Sequence, residues 1–226
     1  DLYRTGGKPG ESTGLSGDLL GLSADDAPQP VGPVRLPLLR AVGQVGQTYI
    51  VAEGPQGMYL IDQHAAHERV LYEQMTAAIR LEGSESQALL EPLTLNLDPL
   101  LAGILAEHLD ALSRAGFELE SFGGTSYLLR SVPAILIVPD VEAAVLDILE
   151  MMRQGDDPLA SQAEEQLIAA VCKRAAIKAG QILSSKEMEQ LVRRLEQCEA
   201  PRTCPHGRPT ILHFSVEQLE KAFGRR

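Results

Sequence analysis

Apolar and polar residues alternate in three short runs, Ala41–Val45, Thr48–Glu53 and Gly57–Ile61, separated by Gly46-Gln47 and Gly54-Pro55. Alternation punctuated by turn residues predicts a meander of short β-strands. At Asp62 the period changes. Ala65, Ala66, Val70, Leu71, Met75 and Ala78 recur at helical spacing as far as Leu81. Asp62 stands where it can cap that helix or end the strand before it. A second block runs from about Gln87 to Gln154. Within it Leu93–Leu97 alternates as a strand, and Pro99–Ala115 has a helical pattern closed by Gly116. Phe117–Phe122 and Ser126–Pro133 then flank Gly123-Gly124, a hairpin signal because glycine tolerates positive φ at both turn positions. Val141–Arg153 is helical again, so the block has the order β-α-β-β-α of a small split α/β unit. After the break at Gln154-Gly155-Asp156-Asp157-Pro158, helices are expected over Ala163–Gln181 and Ser185–Gln197, the latter capped by Ser184 or Ser185. A Cys-Pro-His loop, a short strand at Thr210–Phe214 and a helix at Val216–Phe223 complete the pattern, with no internal repeat.

The simplest arrangement of these elements is an α+β fold of two lobes. The middle block is an insertion, and the chain returns afterwards to complete the first lobe. The expected divisions are a flexible linker at 1–35, the first part of one lobe at 36–85, an outer lobe at 86–158, and the second part of the first lobe at 159–226. The linker assignment rests on composition. Gly, Pro and Ser fill 14 of the first 34 positions, and such a segment buries too little surface to offset its ordering entropy. A tether of this kind, in a chain beginning with Asp1 rather than Met, predicts a fragment or processed product with another domain upstream.

Charge and cysteine usage narrow the function classes. The formal net charge of −11 excludes a generic polybasic nucleic-acid binder, so a role on DNA requires a local basic patch or a partner that delivers the substrate. Three irregularly spaced cysteines make no disulfide framework, and free or metal-bound thiols in a reducing cytosol are the simpler reading. The longest apolar run, around Ile135–Val138, is far short of the ~20 residues of a membrane span. No signal peptide is visible. Neither a phosphate-binding G-x-x-x-x-G-K-[ST] nor a G-x-S-x-G elbow is present, and H-E-x-x-H and H-x-x-E-H are absent as well.

The candidate chemistry is concentrated in Asp62-Gln63-His64-Ala65-Ala66-His67-Glu68-Arg69-Val70-Leu71-Tyr72-Glu73. His64 and Glu68, four apart, share a helix face and can reach one divalent metal, and Asp62 at the junction can point into the same space. His67 could compete for that metal. Glu73, five residues past Glu68, is turned by about 140° and is not expected to be a direct ligand. A solvated charged helix face is the plain alternative. Cys204-Pro205-His206 adds a thiol and an imidazole on a loop stiffened by proline. Cys172 lies on an otherwise apolar helix face and, taken alone, is more often a small core residue than a ligand, while Cys198 among Glu196, Gln197 and Glu199 reads as a bystander. One Glu, two His and two Cys suit Zn²⁺ better than Mg²⁺ or Ca²⁺, which prefer oxygen shells.

Taken together, these residues resemble the C-terminal domain of the MutL family of DNA mismatch-repair proteins, in its endonuclease-bearing bacterial branch. Asp62, Gln63, His64, Ala65, Glu68 and Glu73 meet the signature D-Q-H-A-x-x-E-x-x-x-x-E in full. Val171-Cys172-Lys173 matches a second motif, Ala-Cys-Arg or Ala-Cys-Lys, except at its first position. Cys204–Pro209 is an intact Cys-Pro-His-Gly-Arg-Pro motif, and Phe223-Gly224-Arg225 matches a terminal F-x-R. The match extends from about residue 36 to the end. The resemblance implies a homodimer formed through the lobe that holds both chain ends, with the middle block as a regulatory outer lobe. It implies metal-dependent nicking of one DNA strand, under control of an N-terminal ATPase domain that this chain does not contain and through which alone ATP would act. Carried over by position, His64, Glu68, Cys172, Cys204 and His206 would bind structural or regulatory Zn²⁺. Asp62 and Glu68, with His64, would form the catalytic site around Mn²⁺ or Mg²⁺. Arg208 or Arg225 would steady the scissile phosphate, or pair with an acidic neighbour. Mismatch-recognition protein would be met through the full-length protein, in the bacterial cytoplasm at the nucleoid.

Gln87-Ala88-Leu89-Leu90-Glu91-Pro92 further fits the Q-x-x-[LI]-x-P peptide by which family members dock on the replication sliding clamp, with Gln87, Leu90 and Pro92 as its constrained positions. An ordinary linker between lobes is the alternative. Docking on a ring that encircles DNA would offset the weak DNA affinity of an acidic domain by raising its effective concentration there. Two other function classes stay open: a zinc-stabilised dimerisation and docking module without activity, and a metallohydrolase acting on small substrates.

Overall fold

A computed structural model of the chain describes residues 35–81, 84–155, 163–178 and 180–225. The expected linker at 1–34 and most of the break at 154–158 lie outside these residues. The fold is α+β, and it opens with the expected meander: β1 (Arg40–Val45), β2 (Tyr49–Gly54) and β3 (Gly57–Asp62), paired antiparallel. The three-residue connection Gly46-Gln47-Thr48 closes the first hairpin, with Gly46 and Gln47 at positive φ. Helix α1 (Gln63–Leu81) follows without a loop. Asp62 plays both parts foreseen for it, ending β3 while its Oδ1 accepts the N–H groups of His64 and Ala65 at 2.9 and 3.0 Å.

The middle block forms a second sheet from β4 (Ser86–Asn96), β5 (Glu118–Gly123) and β6 (Ser126–Pro133), in the order β4-β6-β5. Two expectations fail here. The segment expected as one helix over Pro99–Ala115 is two, α2 (Pro99–Glu107) and α3 (Leu109–Arg114), broken at His108 with φ −111° and ψ 16°. The break lets Ala111, Leu112 and Ala115 enter the core already occupied by Ala102 and Leu105. The strand expected over Leu93–Leu97 begins at Ser86. Its ladder to β6 is interrupted between Ala88 and Leu93, so Leu89–Pro92 forms an irregularity on an edge strand, where a proline without N–H is tolerated.

Helix α4 (Val141–Gln154) ends on Gly155 in the left-handed conformation, and α5 covers Ala163–Ala175 rather than reaching Gln181. Beyond Ala175 the backbone groups are captured by side chains of other elements, described below. Helix α6 (Ser185–Gln197) starts with a capping box from Ser184 and Glu187. Strand β7 (Ile211–Ser215) then pairs with β3, giving the first sheet the order β1-β2-β3-β7, and α7 (Val216–Ala222) follows it.

Two apolar cores meet at α1. Ala66 and Val70 pack with Ile50, Ala52, Tyr59, Ile61 and Ile211 of the first sheet and with α6; Leu71 and Met75 pack into the core formed by the second sheet, α2–α5 and Cys172. Each fully buried Ile or Leu in these cores contributes roughly 1.5–3 kcal/mol. Alternation along the strands leaves the first sheet's other face to Val45, Tyr49, Val51, Leu60, Leu212 and Phe214, all partly or largely exposed.

Among the described glycines, Gly57 leaves the least room for a side chain, because β7 runs against it. Gly57 has φ +135°, and a Cβ there would lie 2.2 Å from the Phe214 carbonyl oxygen. Gly57→Ala is therefore expected to push β7 off β3 and to lower stability by about 2–3 kcal/mol or more in urea unfolding. An unchanged midpoint would mean that β7 is not held in this register.

Candidate metal centre

The cap at Asp62 sets where the first turns of α1 point. Residues 64 and 68, four apart, lie on one face, and Glu68 is fully buried. Opposite them, residues 203–209 form a tight hairpin. Thr203 bridges Pro209, the Cys204 N–H donates to the Arg208 carbonyl at 2.8 Å, and the Gly207 N–H donates to the Cys204 carbonyl at 3.0 Å, with Gly207 at φ 78°. The hairpin hangs from the first sheet through the Asp62 N–H, which donates to the Thr210 carbonyl at 2.9 Å, and through the Thr210 hydroxyl, which donates to the Pro201 carbonyl.

This brings together groups more than 130 positions apart in the chain. Ligand atoms of Glu68, Cys204 and His206 lie within 4.8 Å of one another. Glu68 Oε2 is 3.3 Å from His206 Nδ1 and 3.4 Å from the Arg208 guanidinium. His64 Nε2 stands 3.1 Å from Glu68 Oε1 but too poorly aligned for a hydrogen bond, which leaves Oε1 buried without a hydrogen-bond partner. Burial pushes the Glu68 carboxyl up, but His206 and His64 more than offset it and hold the group below the usual carboxylate range. Cys204 raises the His206 pKa to about 9, with Glu68 adding to the shift. Burial pushes the Cys204 thiol up, and hydrogen bonds from His206 and the Arg208 backbone reverse this to a net lowering. Carboxylate, thiol and imidazole thus share a small buried space, and an ion held there would have to displace the proton that His206 carries in the metal-free chain. Glu68, Cys204 and His206 could hold an ion there, with His64 beside them.

The other candidates fall around this group. Asp62 lies at the start of the same helix with Oδ1 committed to the cap. Cys172 is fully buried in the second core, outside the three-donor group, and burial first, then the Glu68 charge, pushes its thiol well up. Arg208 is half-exposed against Glu68. Arg225 is exposed past α7, and no hydrogen bond or ion pair among the described residues joins it to the cluster. Cys198 is buried at the end of α6, its Sγ 3.5 Å from the Arg194 carbonyl, and its thiol is pushed up to about 12 by burial and then by Glu73. Gln87 pairs with Val132 of β6, while Leu90 and Pro92 sit on the irregular stretch of β4, with the Leu90 side chain fully exposed.

Four polar residues of the motif have roles that spacing does not show. Glu73 accepts the N–H groups of Glu199 and Ala200 at 2.6 and 2.9 Å, and Arg69 donates to the Thr203 carbonyl at 2.5 Å, so both fix the segment that leads into the hairpin. Gln63 is fully buried, with its amide nitrogen on the carbonyls of Gln47, Lys178 and Gln181. His67 lies outside the three-donor group. Its Nδ1 accepts the Ile177 N–H at 2.9 Å, and burial, followed by the Arg194 charge, pushes its pKa down to about 4.

Comparison with known proteins places this arrangement. The family model of the MutL C terminal dimerisation domain matches residues 42–183. A DNA mismatch repair protein MutL of Symbiobacterium thermophilum is 41% identical over 191 residues, covering 83% of this chain and 30% of the relative. That of Desulforamulus reducens is 42% identical over 201 residues, 87% of this chain and 31% of the relative. That of Methanothrix thermoacetophila is 42% identical over 191 residues, 84% and 34%. The chain therefore spans about a third of the length of the curated relatives it matches.

His67 gives the site a pH signature in the metal-free chain. Its pKa falls from the ordinary 6.5 to about 4 on folding. Its stabilising contribution is complete above the unfolded value and is lost as pH falls through that window. Wild type should lose roughly 2 kcal/mol between about pH 7 and pH 5 that His67→Asn does not lose, as measured by urea unfolding. Parallel pH profiles for the two would show that His67 is not held neutral.

Proposed function

The chain belongs to the MutL family of DNA mismatch-repair proteins, and from that premise we propose that it is the family's metal-dependent endonuclease and dimerisation domain, nicking one strand of duplex DNA. The observation that carries this reading is Glu68, a fully buried carboxylate with one oxygen lacking a hydrogen-bond partner and with Cys204 and His206 beside it. Leaving a buried carboxylate oxygen without a hydrogen-bond partner is costly, and a mixed O, N and S donor set suits Zn²⁺.

In this reading Glu68, Cys204 and His206 hold structural or regulatory Zn²⁺, with His64 and Cys172 as further ligands. Asp62, His64 and Glu68 serve the catalytic ion, Mn²⁺ or Mg²⁺. Bound there, a divalent ion would activate a water and neutralise charge on the phosphate. Within the chain, His64 keeps a proton on Nδ1 against the Ile177 carbonyl and turns Nε2 toward Glu68. Arg208, half-exposed beside the buried carboxylate, is placed to steady a phosphate at the mouth of the site, with Arg225 as a second candidate.

The lobes divide the work. Segments 36–85 and 159–226 form the dimerisation and endonuclease lobe, and 86–158 the outer lobe, following the linker at 1–35. The apolar outer face of the first sheet supports homodimerisation. The exposed Leu90 supports docking of Gln87–Pro92 on the sliding clamp, which would hold this acidic domain on DNA that it binds weakly alone. ATP and mismatch-recognition protein would act through the remainder of the full-length protein.

One observation favours the second reading, a zinc-stabilised docking module without activity: Asp62 already spends one oxygen on the cap. Asp62→Asn separates the two, because asparagine caps a helix as well as aspartate but carries no charge. In the full-length protein this change is expected to lower nicking at least ~100-fold with folding and dimerisation intact; unchanged nicking would leave the module reading. Leu90→Ala is expected to abolish clamp stimulation and leave clamp-independent nicking unaltered. Stimulation that survives the change would remove the motif from the mechanism.

A further inference from the structure

Between α5 and α6, residues 176–178 and 180–184 have no regular structure, and side chains from α1 and β1 hold them. Ile177 is gripped on both sides. Its N–H donates to His67 Nδ1 at 2.9 Å, and its carbonyl oxygen lies 2.8 Å from His64 Nδ1. A carbonyl only accepts and an amide N–H only donates, so His64 is protonated on Nδ1 and His67 is not. Gln63 donates to the carbonyls of Lys178 and Gln181 at 3.3 and 3.1 Å. Gln44 donates to the Gln181 carbonyl at 2.8 Å and accepts the Leu183 N–H at 3.2 Å.

An imidazole that makes a half-turn about its last side-chain torsion puts Cδ2 where Nδ1 stood and Cε1 where Nε2 stood. The Ile177 carbonyl is what keeps Nδ1 of His64 inward and Nε2 toward Glu68. That carbonyl is itself placed by the amide on the same residue. We infer that His67 is a positioning residue for the metal centre: by anchoring the Ile177 N–H it holds the Ile177 carbonyl against His64 Nδ1 and so presents His64 Nε2 to the Glu68 cluster. The inference rests on the metal reading of that cluster. It gives a role to a position that the signature D-Q-H-A-x-x-E leaves unspecified. Groups that orient a ligand through its second ring nitrogen are worth about 10- to 100-fold in metal affinity.

Cobalt titration of the 226-residue chain, followed through thiolate-to-cobalt absorption at Cys204, reads the affinity without reference to activity. His67→Leu keeps bulk but removes the acceptor, and is expected to weaken cobalt binding about 10- to 100-fold. His67→Asn sets an amide oxygen near the position of Nδ1 and is expected to return affinity to within about threefold of wild type. Gln44→Ala loosens the same crossing from β1 and should weaken binding in the same direction by a smaller factor. Hydrogen exchange in the metal-free chain should show the Ile177 amide opening in His67→Leu and staying protected in His67→Asn. Equal affinity in wild type and His67→Leu overturns the role, and so does equal loss in the Leu and Asn variants, which marks packing alone. If His67→Leu does not fold, unchanged affinity in Gln44→Ala overturns it. A wild-type chain that takes up no cobalt overturns the metal reading and this inference with it, and is told apart from the other failures by the wild-type titration itself.

Discussion

Burial of the Glu68 carboxylate is the constraint around which the rest of this structure is arranged. An ion removed from water costs several kcal/mol unless charges and hydrogen-bond donors surround it. His64 comes from its own helix, and His206 and Arg208 come from a hairpin near the other end of the chain. Holding that hairpin against α1 is the task of several polar side chains on α1 itself. Arg69 and Glu73 grip residues 199–203, while Gln63, His64 and His67 grip the crossing from Ile177 to Gln181. The helix is both a wall of the site and the frame that locates the other walls.

The three thiols are sorted by the same electrostatics. Cys172 and Cys198 sit where desolvation and nearby carboxylates favour the protonated thiol in the metal-free chain. Cys204 has His206 and a backbone N–H to stabilise its anion, so it alone is favoured toward thiolate without a metal. The chain as a whole is strongly acidic, yet the immediate surroundings of Glu68 supply cationic and donor groups. Net charge describes how this protein meets a polyanion and says little about the chemistry inside the cluster.

Much of the fold was legible because local signals agreed. Turn pairs marked the meander, helical spacing marked α1, and a serine cap marked α6 one residue before its start. Legibility failed where tertiary contacts overrode local preference. Nothing in the helical pattern of Pro99–Ala115 announces the break at His108, which serves a core assembled from distant residues. Leu89-Leu90 breaks the alternation of β4, so the strand was recognisable only from Leu93 onward. Spacing supported His64 with Glu68 but could not join either to Cys204 and His206; motif resemblance did that. The roles of Gln63 and His67 were hidden for a simpler reason. Periodicity tells which face a residue occupies, not which backbone carbonyl or amide waits opposite it.

The position of β7 in the chain has a consequence for biosynthesis. Within this chain the meander and α1 are synthesised before the second sheet, and the whole second sheet is made before β7 and the hairpin that precedes it. Until those late residues emerge, β3 has an open edge and Glu68 lacks His206 and Arg208. Long-range pairing of this kind is slow and comes last in folding. A chain stopped before residue 203 retains the D-Q-H-A helix but not the cluster. Assembly of the Glu68 cluster is therefore coupled to synthesis of residues 203–215, and no shorter copy brings its three donors together.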